Sequence, residues 1–76
     1  MEVNINGRIF IVRELLATEL DDVNWQDTKA LIKKQVILSA NLTNEEYDKL
    51  TLRERLGLIK AINDVNGLDE FVEKKN

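Results

Sequence analysis

The stretch LTNEEYDKLTLRERLGLIKAINDVNG, residues 42–67, contains two helix starts in succession, followed by one long amphipathic segment and a glycine. Thr43 is followed three residues later by Glu46, and Thr51 is followed by Glu54 at the same spacing. Each pair predicts a capping box, in which each side chain binds the backbone N–H of the other residue. The stretch therefore predicts a short helix after Thr43 and a longer helix after Thr51.

The longer helix has an apolar arc that is wider than one core-facing stripe. It is predicted to run from Thr51 to about Asn66, because Gly67 is a residue that commonly follows a helix C-terminus. At about 100° per residue, one stripe covers a third of the circumference and is expected to face the core: Leu52, Leu56, Ile59 and Ile62. Three more residues extend the apolar arc past this stripe: Leu58, Ala61 and Val65.

A second long helix is predicted upstream, in NWQDTKALIKKQVILSAN, residues 24–41, with Asn24 as its N-cap. Its apolar residues form three stripes at helical spacing: Trp25, Ile32 and Val36; Leu31 and Leu38; Ala30 and Ile37. A helix that is apolar around much of its circumference is either central in the fold or bound to a partner. Trp25 and Tyr47 are expected to be core residues that reach the surface with a polar group.

The N-terminal segment VNINGRIFIVR, residues 3–13, predicts a β-hairpin, because Asn6-Gly7 suits the positive φ angles of a type I′ turn. A short helix is predicted over residues 14–22. The predicted fold class is therefore α+β, with an N-terminal β-hairpin packed on a small bundle of three to four α-helices. We expect one domain over residues 1–76, with the hairpin in 1–13, helices in 14–74 and a polar tail in 75–76.

Composition excludes several classes of function. The 76 residues include no cysteine and no histidine, which removes thiol chemistry and the commonest general base and metal ligand. The net charge is −3, and the bases are not concentrated on one segment, so nucleic-acid binding is not expected. No apolar run approaches the ~18 residues of a membrane span, and the N-terminus does not resemble a signal peptide. We expect a cytoplasmic protein without a membrane partner.

Candidate sites for chemistry are weak. Residues 62–73 approach the spacing of a calcium-binding loop, but Ile62 occupies the first ligand position, and a helix end explains the segment better. Glu19, Asp21 and Asp22 form an acidic group without ligand spacing, which is typical of a solvated face. Ser39, the only serine, has no histidine to activate it. We therefore predict no enzymatic activity, no metal, no cofactor and no small-molecule substrate.

Two segments of the chain resemble small phage tail assembly chaperones. VNINGRIFIVREL resembles the start of these proteins, which have a short strand, an Asn-Gly turn, a second strand and an Arg-Glu-Leu leading into helices. LTNEEYDKLTLRERLGLIKAINDVNGL resembles their C-terminal half, in which a Leu-Thr, a DKL, a second Thr/Ser-Leu-Arg and an AIN…NG recur. Together the two segments cover roughly 40 of the 76 residues, at both ends of the chain, and the middle matches only in type.

The resemblance implies a non-enzymatic role in tail morphogenesis in the cytoplasm of a bacterial host. Members of the family bind the long, helical tape-measure protein, keep it in solution and help to bring tail-tube subunits to it. Some members are also made as a longer product by ribosomal slippage. The residues Lys74-Lys75-Asn76 can be written in the A-rich codons that such slippage uses, although a solvated polar tail explains them more simply.

Two other functions fit the sequence. The first is a small, antitoxin-like DNA-binding regulator, in which the helix from Thr51 to Asn66 would present Arg53, Arg55 and Lys60 to DNA. The second is a structural component of the virion tail.

The partner surface is predicted from the apolar stripes that a small fold has few elements to cover. We expect four residues to be partly exposed and to bury against a tape-measure helix, or against a second copy of the chain, in a helix-in-groove manner: Leu31, Leu38, Leu58 and Val65. The alternative is that the two long helices cross centrally and both stripes belong to the core.

Overall fold

The computed structural model describes residues 1–68, and it has the predicted α+β fold with an N-terminal hairpin followed by three α-helices. The strands are β1 (Glu2–Ile5) and β2 (Arg8–Ile11). A short 3₁₀ helix, Ala17–Leu20, follows them. The α-helices are α1 (Thr28–Ala40), α2 (Asn44–Asp48) and α3 (Leu52–Val65). Within the described residues the sheet has these two strands, and helices α1 and α3 pack against it.

The hairpin turn confirms the prediction from Asn6-Gly7. Asn6 has φ 55° and Gly7 has φ 90°, so both central residues adopt the positive φ that a type I′ turn requires. The Asn4 side chain reinforces the turn, because its Oδ1 accepts a hydrogen bond of 3.0 Å from the Gly7 N–H. The strands pair antiparallel, with Ile5 opposite Arg8 and Glu2 opposite Ile11.

The hairpin buries one face and exposes the other. Ile5, Phe10 and Val12 lie on the inner face and are buried in the core. Ile9 and Ile11 alternate with them on β2 and are exposed, since successive side chains of a strand point to opposite faces. A two-stranded hairpin is marginally stable alone, and this inner face provides the packing that it needs.

The segment between the hairpin and α1 differs from its prediction at two points. The helix predicted over residues 14–22 is only the four-residue 3₁₀ helix. The predicted N-cap, Asn24, is wrong: Asp27 caps α1, and its Oδ1 accepts the Ala30 N–H at 3.2 Å. The Oδ1 atom of Asn24 instead accepts the Gln26 N–H at 3.0 Å, which places Trp25 in a turn before the helix.

Both predicted capping boxes are present. The Glu46 N–H binds Thr43 Oγ1 at 3.1 Å, and the Thr43 N–H binds Glu46 Oε1 at 2.9 Å. Thr51 and Glu54 repeat the two bonds at the same distances. The C-terminus of α3 is also as predicted, because Gly67 follows it with φ 73°. The helix turn predicted after Gly67 lies mostly outside the described residues.

The face of α3 that enters the core differs from the predicted one. Leu58 is fully buried, Ala61 and Ile62 are buried beside it, and Val65 packs against them. The predicted core residues Leu52 and Leu56 are instead 73% and 57% exposed. The helix is thus rotated by about one residue position, or about 100°, from the predicted orientation.

In the observed orientation, α3 packs closely on β1 at Gly57. A Cβ atom on Gly57 would lie 2.8 Å from Cδ1 of Ile5, so the Ile5 side chain packs directly on the helix backbone at this position. Leu58, the next residue, then points between the hairpin and α1. Partial exposure of Leu58, predicted from the sequence, is therefore wrong, because this residue is at the centre of the core.

Two arginines tie the hairpin region to glutamates. Arg13 makes a bidentate ion pair with Glu19, at 3.0 and 2.7 Å. This hydrogen bonding, with a further bond from the Leu16 N–H, lowers the pKa of Glu19 from 4.5 to about 2. The pKa of Glu54 is also lowered, first by the N–H of Thr51 and then by Arg8 at 3.2 Å.

Replacing Leu58 by alanine tests the orientation of α3. We expect Leu58→Ala to lower the free energy of unfolding by about 3 kcal/mol, because it removes a buried side chain and leaves a cavity. The matched control Leu52→Ala makes the same chemical change at an exposed position of the same helix, and we expect a loss below about 0.5 kcal/mol. Urea unfolding followed by circular dichroism measures both, and equal losses would contradict the orientation described.

Acid should destabilise the fold through Glu19. Because its pKa is lower in the folded chain, the unfolded chain binds more protons, and stability is lost as pH falls from about 4.5 towards 2. Between pH 4.5 and 2, we expect the melting temperature of Glu19→Gln to decrease less than that of the parent. The control is Glu2→Gln, on the exposed outer face of β1, which should keep the acid sensitivity of the parent. An unchanged pH profile in Glu19→Gln would show that the pair with Arg13 does not stabilise the fold.

Candidate protein-binding surface

The four residues predicted to bind a partner do not form one surface. Leu31 and Leu38 are partly exposed on α1, as expected, and they lie two turns apart on the same face of that helix. Val65 is also partly exposed, but it packs against the core. Leu58 is buried. Only Leu31 and Leu38 therefore remain candidates for one common contact.

A different group of apolar residues is exposed together, near the C-terminal end of α3. Leu16, Trp25 and Leu68 are 69%, 58% and 41% exposed, and all three line one depression of about 220 Å³. Leu15 and the buried Leu20 line it as well. We call this surface, formed by Leu15, Leu16, Leu20, Trp25 and Leu68, the Trp25 patch.

Hydrogen bonds fix the position of the Trp25 patch. The indole Nε1–H of Trp25 donates to the carbonyl oxygen of Leu20 at 3.1 Å. Asn66, at the end of α3, accepts the Leu15 N–H at 2.8 Å and donates from Nδ2 to the Ile62 carbonyl at 2.8 Å. Asn66 thus connects the segment that carries the patch to the last turn of α3.

The surroundings of the patch are acidic. Residues 14–24 contain four acids and no base, and Glu14 lines the depression itself. Two of the four acids are paired with bases: Glu19 with Arg13, and Asp22 with Lys34 at 3.5 Å. The patch is therefore a mainly apolar surface whose lining includes one carboxylate, that of Glu14.

A second concave surface lies beside β2, with a volume of about 720 Å³. Leu38 lines it, opposite Ile9 and Ile11. Met1 and Val12 form a hydrogen-bonded pair, with two backbone hydrogen bonds of 2.9 Å. In an antiparallel hairpin, hydrogen-bonded and non-hydrogen-bonded pairs alternate along the strands. The N–H and C=O groups of Ile9 and Ile11 therefore point away from β1. Leu38 therefore lies beside a strand edge, and the structure does not place it next to the Trp25 patch.

The candidate sites for chemistry have simple structural roles where the structure describes them. The Oγ of Ser39 donates to the carbonyl oxygen of Arg13, which joins α1 to the end of the hairpin. Within residues 1–68, no group of three or more acidic side chains could hold a metal ion. In the same range no helix has the length and apolar character to cross a bilayer. The calcium-like segment 62–73 lies partly outside the described residues.

The sequence prediction missed the exposed residues and misassigned Trp25. Trp25 was predicted to share a face with Ile32 and Val36, but it precedes α1 and is therefore not on a helical face at all. The signal for its position was Asp27, since an aspartate at the start of a helical pattern is as good an N-cap as Asn24. The residue that could have indicated the exposure of Leu52 and Leu56 is Gly57. A glycine inside a helix often lies where the helix backbone contacts another element, and here it contacts Ile5 of β1.

Removing the Asn66 side chain tests how the patch is held. We expect Asn66→Ala to lower the free energy of unfolding by about 1–2 kcal/mol, because it leaves the partly buried Leu15 N–H without a partner. The control Asn63→Ala, one turn earlier on α3, should lose less than about 0.5 kcal/mol. Trp25 is the only tryptophan, so its emission reports both global unfolding and any change in the patch. Equal losses in the two variants would show that Asn66 does not support the patch.

No protein family model matches this chain, and no curated protein and no solved structure is significantly similar to it. Its function is therefore inferred from the exposed surfaces and from the sequence resemblance.

Proposed function

We propose that this chain is a non-enzymatic assembly chaperone of a phage or prophage tail, which binds the tape-measure protein in the cytoplasm of the bacterial host. The observation that supports this proposal is the Trp25 patch, in which Leu16, Trp25 and Leu68 are exposed around one depression. Apolar patches of this kind, with a polar rim, mark protein-binding surfaces. The sequence resemblance described above adds the tape-measure protein as the partner.

The chemistry of the patch suits an apolar helix. Tryptophan is enriched among residues that dominate binding energy, because it buries a large area at low loss of rotamer freedom. The hydrogen bond from Nε1 to Leu20 holds the ring of Trp25 in one orientation before binding. An apolar side chain of a partner helix would enter the depression between Trp25, Leu16 and Leu68, as in other helix-in-groove contacts.

The net charge of the chain suits a role in preventing aggregation of a partner protein. A long helical protein exposes apolar stripes before its assembly, and these stripes associate with one another unless they are covered. This chain adds an apolar surface that is lined at one point by Glu14, and a net charge of −3. Net charge away from zero opposes self-association of the complex.

The DNA-binding alternative fits the structure less well. The three bases that it assigns to α3 do not share a face: at about 100° per residue, Arg53 and Lys60 are close together and Arg55 points to the opposite side. The Arg55 guanidinium lies over the ring of Tyr47, 4.7 Å from its centroid. A recognition helix needs its bases on the side that enters the groove of the DNA.

Co-expression with the tape-measure protein tests the proposal. We expect the parent chain to keep the tape-measure protein in the soluble fraction, and we expect the double variant Leu16→Ser with Trp25→Ser to lose this effect. Because both residues are more than half exposed, the variant should retain its fold, which circular dichroism checks. The control is Lys49→Ser, an exposed residue after α2, which should act as the parent does.

Three outcomes would contradict the proposal. The first is a tape-measure protein that precipitates equally with and without the parent chain. The second is retention of the parent on heparin at low salt, which a DNA-binding regulator would show. The third is recovery of the chain from purified phage particles, because a structural tail component stays in the particle and a chaperone does not.

A further inference from the structure

A third concave surface lies between α1 and α3, away from the Trp25 patch, with a volume of about 330 Å³. Apolar side chains line it from three elements: Ile32 from α1, Tyr47 from α2 and Ile59 from α3. Three bases line it as well: Lys29, Lys33 and Arg55. We call the surface formed by these six residues the basic groove.

The aromatic ring of Tyr47 positions two of the three bases. Tyr47 is only 6% exposed, so its ring is a fixed part of the groove. The Arg55 guanidinium lies 4.7 Å from the ring centroid, and the Lys33 Nζ lies 5.7 Å from it, both within the range of cation–π attraction. Lys33 is also 3.9 Å from the Asp48 carboxylate, which is more than two-thirds exposed and binds weakly at this distance.

The apolar part of the groove continues onto the outer face of α3. Leu52, Leu56 and Ile59 lie within about 60° of one another around the helix, and Arg55 borders them on one side. Leu52 and Leu56 are 73% and 57% exposed. An apolar stripe two turns long therefore runs along α3 and ends at the basic groove.

Charge identifies the kind of partner. The chain as a whole has a net charge of −3, yet every charged side chain that lines this groove is basic. Complementary charge across an interface selects partners and speeds their encounter. Within residues 1–68, Lys33 has Asp48 as a counter-charge, and a partner with apolar side chains alone would leave Lys29 and Arg55 without one. An acidic partner would pair both.

We propose that the basic groove and the adjoining apolar stripe of α3, formed by Leu52, Leu56 and Ile59, together bind an amphipathic helix of another protein. That helix carries acidic side chains beside its apolar stripe. The apolar side chains of that helix contact Leu52, Leu56 and Ile59, and its carboxylates approach Lys29, Lys33 and Arg55. This inference goes beyond the proposed function, because it concerns a separate surface and holds whether or not the chain acts in tail assembly.

A protein helix fits this surface better than a nucleic acid does. Nucleic-acid sites present many bases and gain affinity by neutralising phosphates. Here three bases border a surface that continues onto two exposed leucines, Leu52 and Leu56. The net negative charge of the chain would also repel a polyanion at long range.

Binding of a designed peptide tests the inference. The probe is a fluorescein-labelled helical peptide of about five turns with a leucine stripe flanked by glutamates, and its counterpart has lysines in place of the glutamates. Fluorescence anisotropy is measured at about 0.05 and 0.5 M NaCl. We expect the glutamate peptide to bind the parent at least about tenfold more tightly than the lysine peptide, and to weaken as salt rises.

Matched charge reversals locate the site. We expect Lys29→Glu with Arg55→Glu to weaken binding of the glutamate peptide by about tenfold or more, and Lys29→Glu alone to act in the same direction. The control is Lys34→Glu with Lys49→Glu, which makes the same change of net charge at two bases that do not line the groove and should have little effect. Because Arg55 contacts Tyr47, circular dichroism and melting temperatures verify that each variant is folded. The variant Leu16→Ser with Trp25→Ser should bind the glutamate peptide as the parent does, which separates this surface from the Trp25 patch.

Four results would overturn the inference. One is equal affinity for the two peptides, and another is an equal effect of the two charge-reversal pairs, since either would mean that no local groove is involved. A third is a single-stranded oligonucleotide that displaces the glutamate peptide at lower concentration than unlabelled peptide does. The fourth is a dimer, detected by sedimentation, that the Lys29→Glu with Arg55→Glu variant abolishes, because the occupant would then be a second copy of the chain.

Discussion

The packing of the hairpin's inner face against α1 and α3 is the constraint on which the rest of this structure depends. Two strands cannot form a stable sheet by themselves, so Ile5, Phe10 and Val12 must be covered by helices. The absence of a side chain at Gly57 lets α3 come close enough to do this. With Gly57 against the Ile5 side chain, α3 has the rotation in which Leu58 enters the core.

The surfaces available to partners follow from that rotation. With Leu58 inside, the leucines on the neighbouring face of α3 point to solvent, and Arg55 lies over Tyr47. The same rotation places Asn66 where it can bind the backbone of Leu15 and hold the Trp25 patch. One close contact between a strand and a helix therefore determines what both ends of α3 present to other molecules.

Features set by local interactions could be predicted from the sequence. The type I′ turn depends only on the backbone freedom of Asn6-Gly7, and each capping box depends on two side chains three residues apart. The order of hairpin and helices followed from these signals. The start of α1 was predicted three residues too early, because Asn24 and Asp27 are both good caps and only the surrounding contacts decide between them.

The binding surfaces could not be predicted, because they depend on contacts between distant parts of the chain. Apolar residues occupy more than half of the circumference of α3, so periodicity alone leaves several orientations open. Leu58 was assigned to the partner and Leu52 to the core, which is the reverse of their positions. Leu31 and Leu38 were correctly expected to be partly exposed, since α1 is likewise apolar on several sides.

The connections between the hairpin and α3 also bear on how the chain folds during synthesis. Arg8 pairs with Glu54 across 46 residues of sequence, and Leu15 binds Asn66 across 51. The hairpin is synthesised before α3, one of the two helices that cover it. Contacts so distant in sequence form slowly, because a long loop must close before any of them is gained. On the ribosome, α1 can cover part of the hairpin's apolar face, and the rest stays uncovered until α3 has emerged.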